Sequence, residues 1–415
     1  MQKDCVIIGG GIIGFCTAYY LVKDGHKVTI LDKGNLDNGA SFVNAGYITP
    51  SHFIPLSSPG MITKGFKWML NSRSPFYVKP RLDLDFLNWA WCFKKSATAA
   101  KVEKAIPVLR EINLLSRELY QELKDAREFD FNYDHHGLLM CYKTDHAGEE
   151  EAQIAAIAAK GGMKVSHFSK EELNNKYPDA SYNVKGAYFY DTDAHMTPDE
   201  FMQQMREYLV QKGVEFRPYT AVKDFVVSGN RIEAIETSQG RIAADEVTLT
   251  AGTWSSKIAA RLGLRMLLEA GKGYSFNLQR ETGIKVPSIL VEAKVAVTPM
   301  NGFTRFAGTM ELGGINHDIN KLRVDTIAAA AGNYFDGLKV SEEEKGTARA
   351  GLRPCSPDGL PYIGRSQKIK NLSIGTGHAM MGWSLGPATG KILAEVIGEK
   401  KPSLDLQPFS PDRKF

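Results

Sequence analysis

Residues 4–14 read Asp-Cys-Val-Ile-Ile-Gly-Gly-Gly-Ile-Ile-Gly, and this stretch decides the fold. Asp4 to Ile8 is a short apolar run that ends in glycines, the pattern of a strand buried on both faces of a parallel sheet. Ile12 to Lys23 then places Ile12, Phe15, Tyr19 and Val22 at helical spacing. Gly25 stops that helix, and Lys27 to Leu31 is a second strand. The turn Gly9-Gly10-Gly11-Ile12-Ile13-Gly14 fits G-x-G-x-x-G. Gly9 permits the tight strand-to-helix turn, Gly11 lets a pyrophosphate reach the backbone, and Gly14 allows helix and strand to pack closely. The helix N-terminus presents free N–H groups and a positive dipole end to the phosphates. Asp32, at the end of the second strand, accepts hydrogen bonds from a ribose 2′-OH and repels a 2′-phosphate. The expectation is a dinucleotide site that excludes NADP, with FAD and NAD both open.

Outward from that turn, 415 residues exceed one ordinary domain. Alternating apolar patterns at Gly186 to Tyr190, Arg231 to Thr237 and Glu246 to Thr250 read as strands, and several more follow between Lys272 and Glu311. Helical patterns run from Ile106 to Lys124, Glu149 to Ala159 and Pro387 to Gly398. Residues 50–80 carry five prolines and read as loop. A β-α-β start, a β-rich middle and an α/β end imply two interleaved domains. The expected nucleotide unit is 1–84, 147–180, 196–258 and 346–415. The expected substrate unit is 85–146, 181–195 and 259–345.

Hydrophobic residues at 43% and charged residues at 24% describe a globular chain, and a net charge of +4 gives no basis for nucleic-acid binding. The five cysteines contain no C-x-x-C pair, which argues against a zinc site or disulfide framework and for a reducing compartment; no metal is expected. The N-terminus enters a strand directly, so secretion is not expected. No run of 18 apolar residues exists, which leaves a cytoplasmic protein with peripheral contact at the inner face of the plasma membrane open. Met61, Ile62, Phe66, Trp68, Met69 and Leu70 with Lys64 and Lys67 would be the docking segment, or equally a lid or core element.

A second glycine-rich helix start lies near the C-terminus. Gly375-Thr376-Gly377-His378 follows a short strand, and Gly382-Trp383-Ser384-Leu385-Gly386-Pro387 opens a helix. Its N–H groups could face the electron-rich N1/O2 edge of a reduced flavin, or simply cap the turn. Two such termini favour a long cofactor stretched across the domain.

Seven segments together resemble the DAO superfamily of FAD-dependent amino acid and amine oxidoreductases, closest to its D-amino acid dehydrogenase branch. They are VIIGGGIIG (6–14), SFVNAG (41–46), PGMITKGFKWMLNSRSPFYVKPRLD (59–83), TAGTWS (250–255), GTMELGG (308–314), GLRPCSPDGLPYIG (351–364) and GTGHAMMGWSLGPATGK (375–391). The resemblance implies an α/β fold in which a Rossmann-like FAD-binding domain is interleaved with an antiparallel-β substrate domain, of glutathione-reductase-like type. It implies oxidation of a small D-amino acid by hydride transfer from Cα to flavin N5, the imino acid then hydrolysing to a 2-oxo acid and ammonia. Cyclic substrates such as D-proline or hydroxy-D-proline fall within it. A quinone or other carrier would accept the electrons. The competing readings are a glycine- or sarcosine-type amine oxidase using O₂ and an FAD subunit of an electron-transfer complex.

The implied FAD contacts begin at Gly9, Gly11, Ile12, Ile13 and Gly14, with Asp32 and Lys33 at the adenosine end. Ala40, Ser41, Ala45, Gly46 and Tyr47 follow, then Val222, Ala251 and Gly252. The loop of His378, Ala379, Met380, Met381, Gly382, Trp383 and Ser384 completes the set. On the substrate side, Arg353 in GLRP would fork onto the carboxylate and aim Cα at the ring, which is much of the catalysis in hydride transfer. Its alternative is a structural ion pair with Asp358. Tyr47 and Tyr274 are candidate hydroxyl donors, each also readable as a core tyrosine. Met380 and Ala296 stand where glycine oxidases carry an arginine and a pocket tyrosine, which argues for a roomier, more apolar pocket. Cys355 lies at a different offset from the cysteine of covalent flavoproteins, so non-covalent FAD is expected.

Overall fold

The structure is a computed structural model and describes residues 1–59, 74–79, 81 and 83–415. The opening motif forms as expected: strand Asp4–Ile8, helix Ile12–Lys23, strand Lys27–Leu31. These strands sit in a six-stranded sheet ordered Glu215–Arg217, Lys27–Leu31, Asp4–Ile8, Glu246–Leu249, Leu372–Thr376, Tyr362–Arg365. The first five are parallel and the last is antiparallel.

Alternation along the first strand explains its continuous apolar run. Cys5 and Ile7 face one core with helices Ile12–Lys23 and Gly386–Ile397, while Val6 and Ile8 face a second core. A three-stranded meander, Val222–Ser228, Arg231–Thr237 and Gly240–Ala243, covers that second face. Both faces are therefore dry.

The other large element is a nine-stranded sheet, antiparallel apart from two parallel pairings. Its working end is three adjacent strands, Arg349–Cys355, Glu269–Leu278 and Phe303–Leu312. One face carries Tyr274, Phe276, Leu278 and Phe306 against helix Lys321–Tyr334. The other face carries Gly271, Gly273, Ser275 and Arg305 and turns toward the nucleotide unit: Ser275 Oγ donates to Val43 O at 3.2 Å.

Three segments differ from the expected partition. Helix Ala99–Ala126 begins earlier than its periodicity suggested, is capped by Thr98, and carries Pro107 in its interior. Its apolar stripe, Ile112, Leu119, Tyr120 and Leu123, packs in the nucleotide core instead of the substrate unit. Strand Val165–Ser169 pairs with Gly186–Tyr190 in the large sheet, and Arg349–Cys355 does so with Glu269–Leu278. In each case long-range pairing or a shared apolar face, invisible in a local window, decides the placement. The segment 61–70 lies outside the described residues.

Candidate cofactor and substrate site

The glycine turn has the tight geometry its spacing demands. Gly9 sits at φ +111°, and a Cβ there would lie 2.6 Å from Thr250 O. A Cβ on Gly14 would lie 2.2 Å from Gly9 O, so any other residue would push the helix off the strand. At Gly11 only the Ser41 hydroxyl comes near, 3.2 Å from where a Cβ would sit, so this is where the backbone stays open to a ligand. Ile12 N donates to Ser41 Oγ at 3.0 Å, which ties the 40–46 loop to the helix N-terminus; Ile13 follows one residue into the helix.

Asp32 does more than the sequence suggests. Its Oδ2 accepts from Gly10 N at 2.8 Å and its Oδ1 from Gly34 N at 2.7 Å. The carboxylate thus braces two turns, and its remaining lone pairs stay available for a ribose. Thr220 N and Tyr219 N donate to Asp32 O and Gly34 O, which brings the start of the Val222 strand beside it. Lys33 lays its Nζ 3.4 Å over the Trp254 ring, and His317 stacks on Trp254 with centroids 5.9 Å apart. Ala251 and Gly252 lead into Trp254 directly after strand Glu246–Leu249, at the carboxyl end of the parallel strands. That edge is where open α/β sheets bind their ligands.

The 40–46 loop bridges the two sheets. A Cβ on Gly351 would lie 3.3 Å from Ala40 Cα, and Ala45 O accepts from Thr298 Oγ1 at 2.7 Å. Gly46, at φ +74°, leaves no room beside Met196 O. Arg305 is the residue that holds this loop, and sequence reasoning missed it. It is 3% exposed and donates to Phe42 O at 3.0 Å, Asn44 O at 2.8 Å and Asp199 at 3.2 Å. A lone arginine amid the apolar strand residues of Phe303–Leu312 was the available signal.

Tyr47 is not placed as a substrate donor. Its hydroxyl lies between Ser288 O (2.8 Å) and Val297 O (3.0 Å) and accepts from Val297 N at 3.0 Å, a fully used position in the large sheet. Tyr274 is 1% exposed on the opposite face of the sheet from Arg353 and bonds to Glu311 at 3.1 Å. The one-residue alternation of a strand sends it into the core.

In the C-terminal loop, the His378 imidazole is buried against Thr389 Oγ1 at 3.0 Å, and burial pushes its pKa down to about 3. It stays neutral at physiological pH and is only a weak base. Ala379–Met381 form a 3-10 turn, with Ala379 at φ +47° and Met380 turned to solvent at 50% exposure. Gly382 ends that turn. Trp383 packs its indole edge-on against Phe201, and its carbonyl accepts from Tyr120 at 2.7 Å. Ser384 Oγ accepts from Thr49 N at 3.1 Å and donates to Asn113 at 3.2 Å. These last side chains anchor the loop inward. Ala388 N, near the start of the following helix, donates to Ser116, so that helix end is capped in part by a neighbour.

Arg353 is placed differently from all of these. It projects from its strand opposite Gly271 and leans over Gly273, where a Cβ would lie 2.2 Å from Nη1. Its Nη1 donates to Thr309 O at 2.9 Å. Thr309 has φ +62° beside a register shift between Lys272 and Tyr274, so a bulge re-aims that carbonyl at the guanidinium. Among the described residues no carboxylate pairs with Arg353. The alternative partner Asp358 belongs to Arg413, at 2.8 and 3.0 Å. Burial pulls the Arg353 pKa below its usual value, yet the side chain keeps some accessible surface. A half-buried cation without a counter-charge among the described residues is the arrangement that an arriving anion completes.

The floor beside Arg353 is apolar: Met310, Leu312 and Cys355, with Trp89 above them donating to Cys355 O at 2.8 Å. Ala379 of the flavin-side loop packs against the same cluster. The open backbone at Gly11 and the braced Asp32 fit a dinucleotide cofactor, and the half-buried Arg353 guanidinium has no carboxylate partner among the described residues.

The family model for FAD dependent oxidoreductases matches residues 4–396. The D-amino acid dehydrogenase of Helicobacter pylori is 32% identical over 415 residues, 99% of each chain. That of Vibrio vulnificus (strain YJ016) is 29% identical, covering 97% of this chain and 98% of the relative. In fold, the chain is similar to glycine oxidase from Geobacillus kaustophilus, with TM-score 0.80, 21% identity and 100% and 99% of the two chains covered. It is also similar to L-proline dehydrogenase from P. horikoshii, with TM-score 0.75, 20% identity and 99% and 97% covered. With its glycine turn, its two interlocked sheets and its full-length match, the chain belongs to the DAO family of FAD-dependent oxidoreductases.

Proposed function

We propose that the protein is a D-amino acid dehydrogenase that oxidises the Cα–N bond of a small D-amino acid, the imino acid then hydrolysing in water to a 2-oxo acid and ammonia. FAD, when bound, supplies a hydride acceptor at its N5. The observation that carries the reading is Arg353: a half-buried guanidinium without a carboxylate partner among the described residues, fixed over Gly273 and braced by Thr309 O. Two charge-assisted hydrogen bonds from its planar fork orient a carboxylate, and with it the Cα–H bond.

Neither His378 nor the two candidate tyrosines is placed to take a proton from the substrate. His378 is buried and neutral, and the hydroxyls of Tyr47 and Tyr274 are bound elsewhere. The substrate amine therefore enters neutral, and the chain's task is orientation and exclusion of water. Met310, Leu312, Cys355 and Trp89 do the excluding. A compact ring, D-proline included, belongs to the proposed substrate range beside short open chains. Non-covalent FAD is part of the proposal: Cys355 is fully buried, and burial pushes its thiol up to about 12, leaving no thiolate for a flavin linkage. A quinone or similar carrier as electron acceptor is part of the proposal, supported only by the relatives being named dehydrogenases. Among the described residues no helix is long and apolar enough to cross a membrane.

The test is anaerobic bleaching of the yellow holoenzyme by a panel of D- and L-amino acids. D-enantiomers should bleach it, and turnover should run with an artificial dye while yielding little peroxide. A panel without effect refutes the proposal.

A further inference from the structure

The floor that holds Arg353 continues past Cys355 to a second polar group. Glu269 and Cys355 face each other across the two strands, as Gly271 and Arg353 do one step along. Because strand residues two apart share a face, Glu269, Gly271 and Gly273 line one surface. Arg353 leans toward the Gly273 end and Glu269 stands at the other, with Cys355 close enough to feel both charges.

Arg81 closes the Glu269 end. Its Nη2 lies 2.5 Å from Glu269 Oε2, and its guanidinium stacks 4.4 Å over the Phe86 ring. Phe86 lies on the helix that brings Trp89 over the floor. Glu269 is 6% exposed, yet its Oε1 has no hydrogen-bond partner, and neither does Nη1 of Arg81, whose Nε lies 3.5 Å from Asp83 Oδ2. One buried acceptor and one buried donor thus remain unused at the end of this face away from Arg353. Unmet buried groups of this kind are costly unless something completes them.

We propose that Glu269 and Arg81 form the side-chain end of the substrate pocket, selecting an amino acid whose side chain carries a neutral hydrogen-bonding group, a hydroxyl above all. A hydroxyl donates to Glu269 Oε1 and accepts from Arg81, filling both vacancies at once. Glu269 and Arg81 neutralise each other and exposed Asp83 adds a negative charge beside them, so an acidic side chain is rejected. Purely apolar side chains leave the vacancies unfilled and bind less well. This inference rests on Arg353 taking the carboxylate, and it adds the side-chain class.

Matched pairs test it with the holoenzyme: D-serine against D-alanine, D-threonine against D-2-aminobutyrate, and 4-hydroxy-D-proline against D-proline. Dye-linked kcat/KM should favour the hydroxylated member of at least one pair by about tenfold or more. In Glu269→Gln that ratio should fall several-fold. In the double variant Arg81→Met with Glu269→Leu, which removes both charges together, it should approach one, whatever the absolute rate. Bound flavin and melting temperature confirm that each variant is folded. Wild-type ratios near one for every pair overturn the proposal, as does an unchanged ratio in the folded double variant. If no amino acid bleaches the flavin, the functional reading itself fails; if they bleach it without discrimination, only the side-chain subsite does.

Discussion

Replacing Arg353 by methionine removes the charge, keeps much of the side-chain volume, and gives opposite expectations for activity and stability. In the cleft, the guanidinium offers a carboxylate two charge-assisted hydrogen bonds, each contributing about 1.5–3 kcal/mol. Losing both costs about 3–6 kcal/mol of transition-state binding, a fall of about 10² to 10⁴ in kcat/KM. The effect on the empty protein runs the other way. Burial lowers the guanidinium's pKa, so the charged form is less favoured in the folded chain than in the unfolded one. At any pH below that pKa the charge therefore opposes folding. No carboxylate among the described residues offsets it, and the hydrogen bond lost is the one to Thr309 O. The flavin-free variant should melt no lower than wild type beyond about 1 kcal/mol, the worth of that bond. The assay is stopped-flow anaerobic flavin reduction beside thermal melts of apo and holo protein. A yellow Arg353→Met enzyme that retains kcat/KM within tenfold of wild type refutes the carboxylate assignment. A large drop in apo stability would show that Arg353 is structural.

Three further perturbations probe the surroundings. Gly273→Ala drives a methyl to within 2.5 Å of the guanidinium; KM should rise at least about tenfold through the displaced Arg353, while flavin content stays at the wild-type level. Arg305→Met leaves Phe42 O and Asn44 O without a donor, costing about 2–4 kcal/mol; the melting temperature should fall and FAD should dissociate more readily, and a variant that holds FAD as wild type does would remove the loop-clamp role. Asp193, buried against Ser51, has its pKa raised from 3.8 to about 7 by desolvation. The folded state then holds a proton that the unfolded state has released, so this residue's contribution to stability falls as pH rises from about 4 to 7. Asp193→Asn should lack that slope, so the difference between variant and wild-type melting temperatures should itself change between about pH 4 and 7; an identical pH profile would contradict the buried, protonated carboxyl.

How much of this could be read before the structure differs from residue to residue. The turn from Gly9 to Gly14 and the acid at Asp32 were legible because their roles are local: backbone conformation, close packing and a lone-pair donor at the end of a strand. Arg353 was legible through its motif, yet the motif could not choose between a ligand and Asp358. Only the structure, by giving Asp358 to Arg413, left the guanidinium free for a carboxylate. Tyr47 and Tyr274 looked alike as hydroxyl donors. Their fates depend on which face of a strand each side chain leaves, and on carbonyls some 240 residues away in the case of Tyr47.

What the amino-acid order determined by itself was the kind of protein: a βαβ dinucleotide turn, strands whose apolar period matches their burial, and a second glycine-rich helix start. Such features are set by interactions within a dozen residues. Tertiary structure alone decided which charges meet. Arg305 clamping the 42–44 loop, Gly273 making room for Arg353, and Arg81 meeting Glu269 all join strands and loops distant in the chain. Their geometry comes from sheet register and bulges, and no local pattern encodes those.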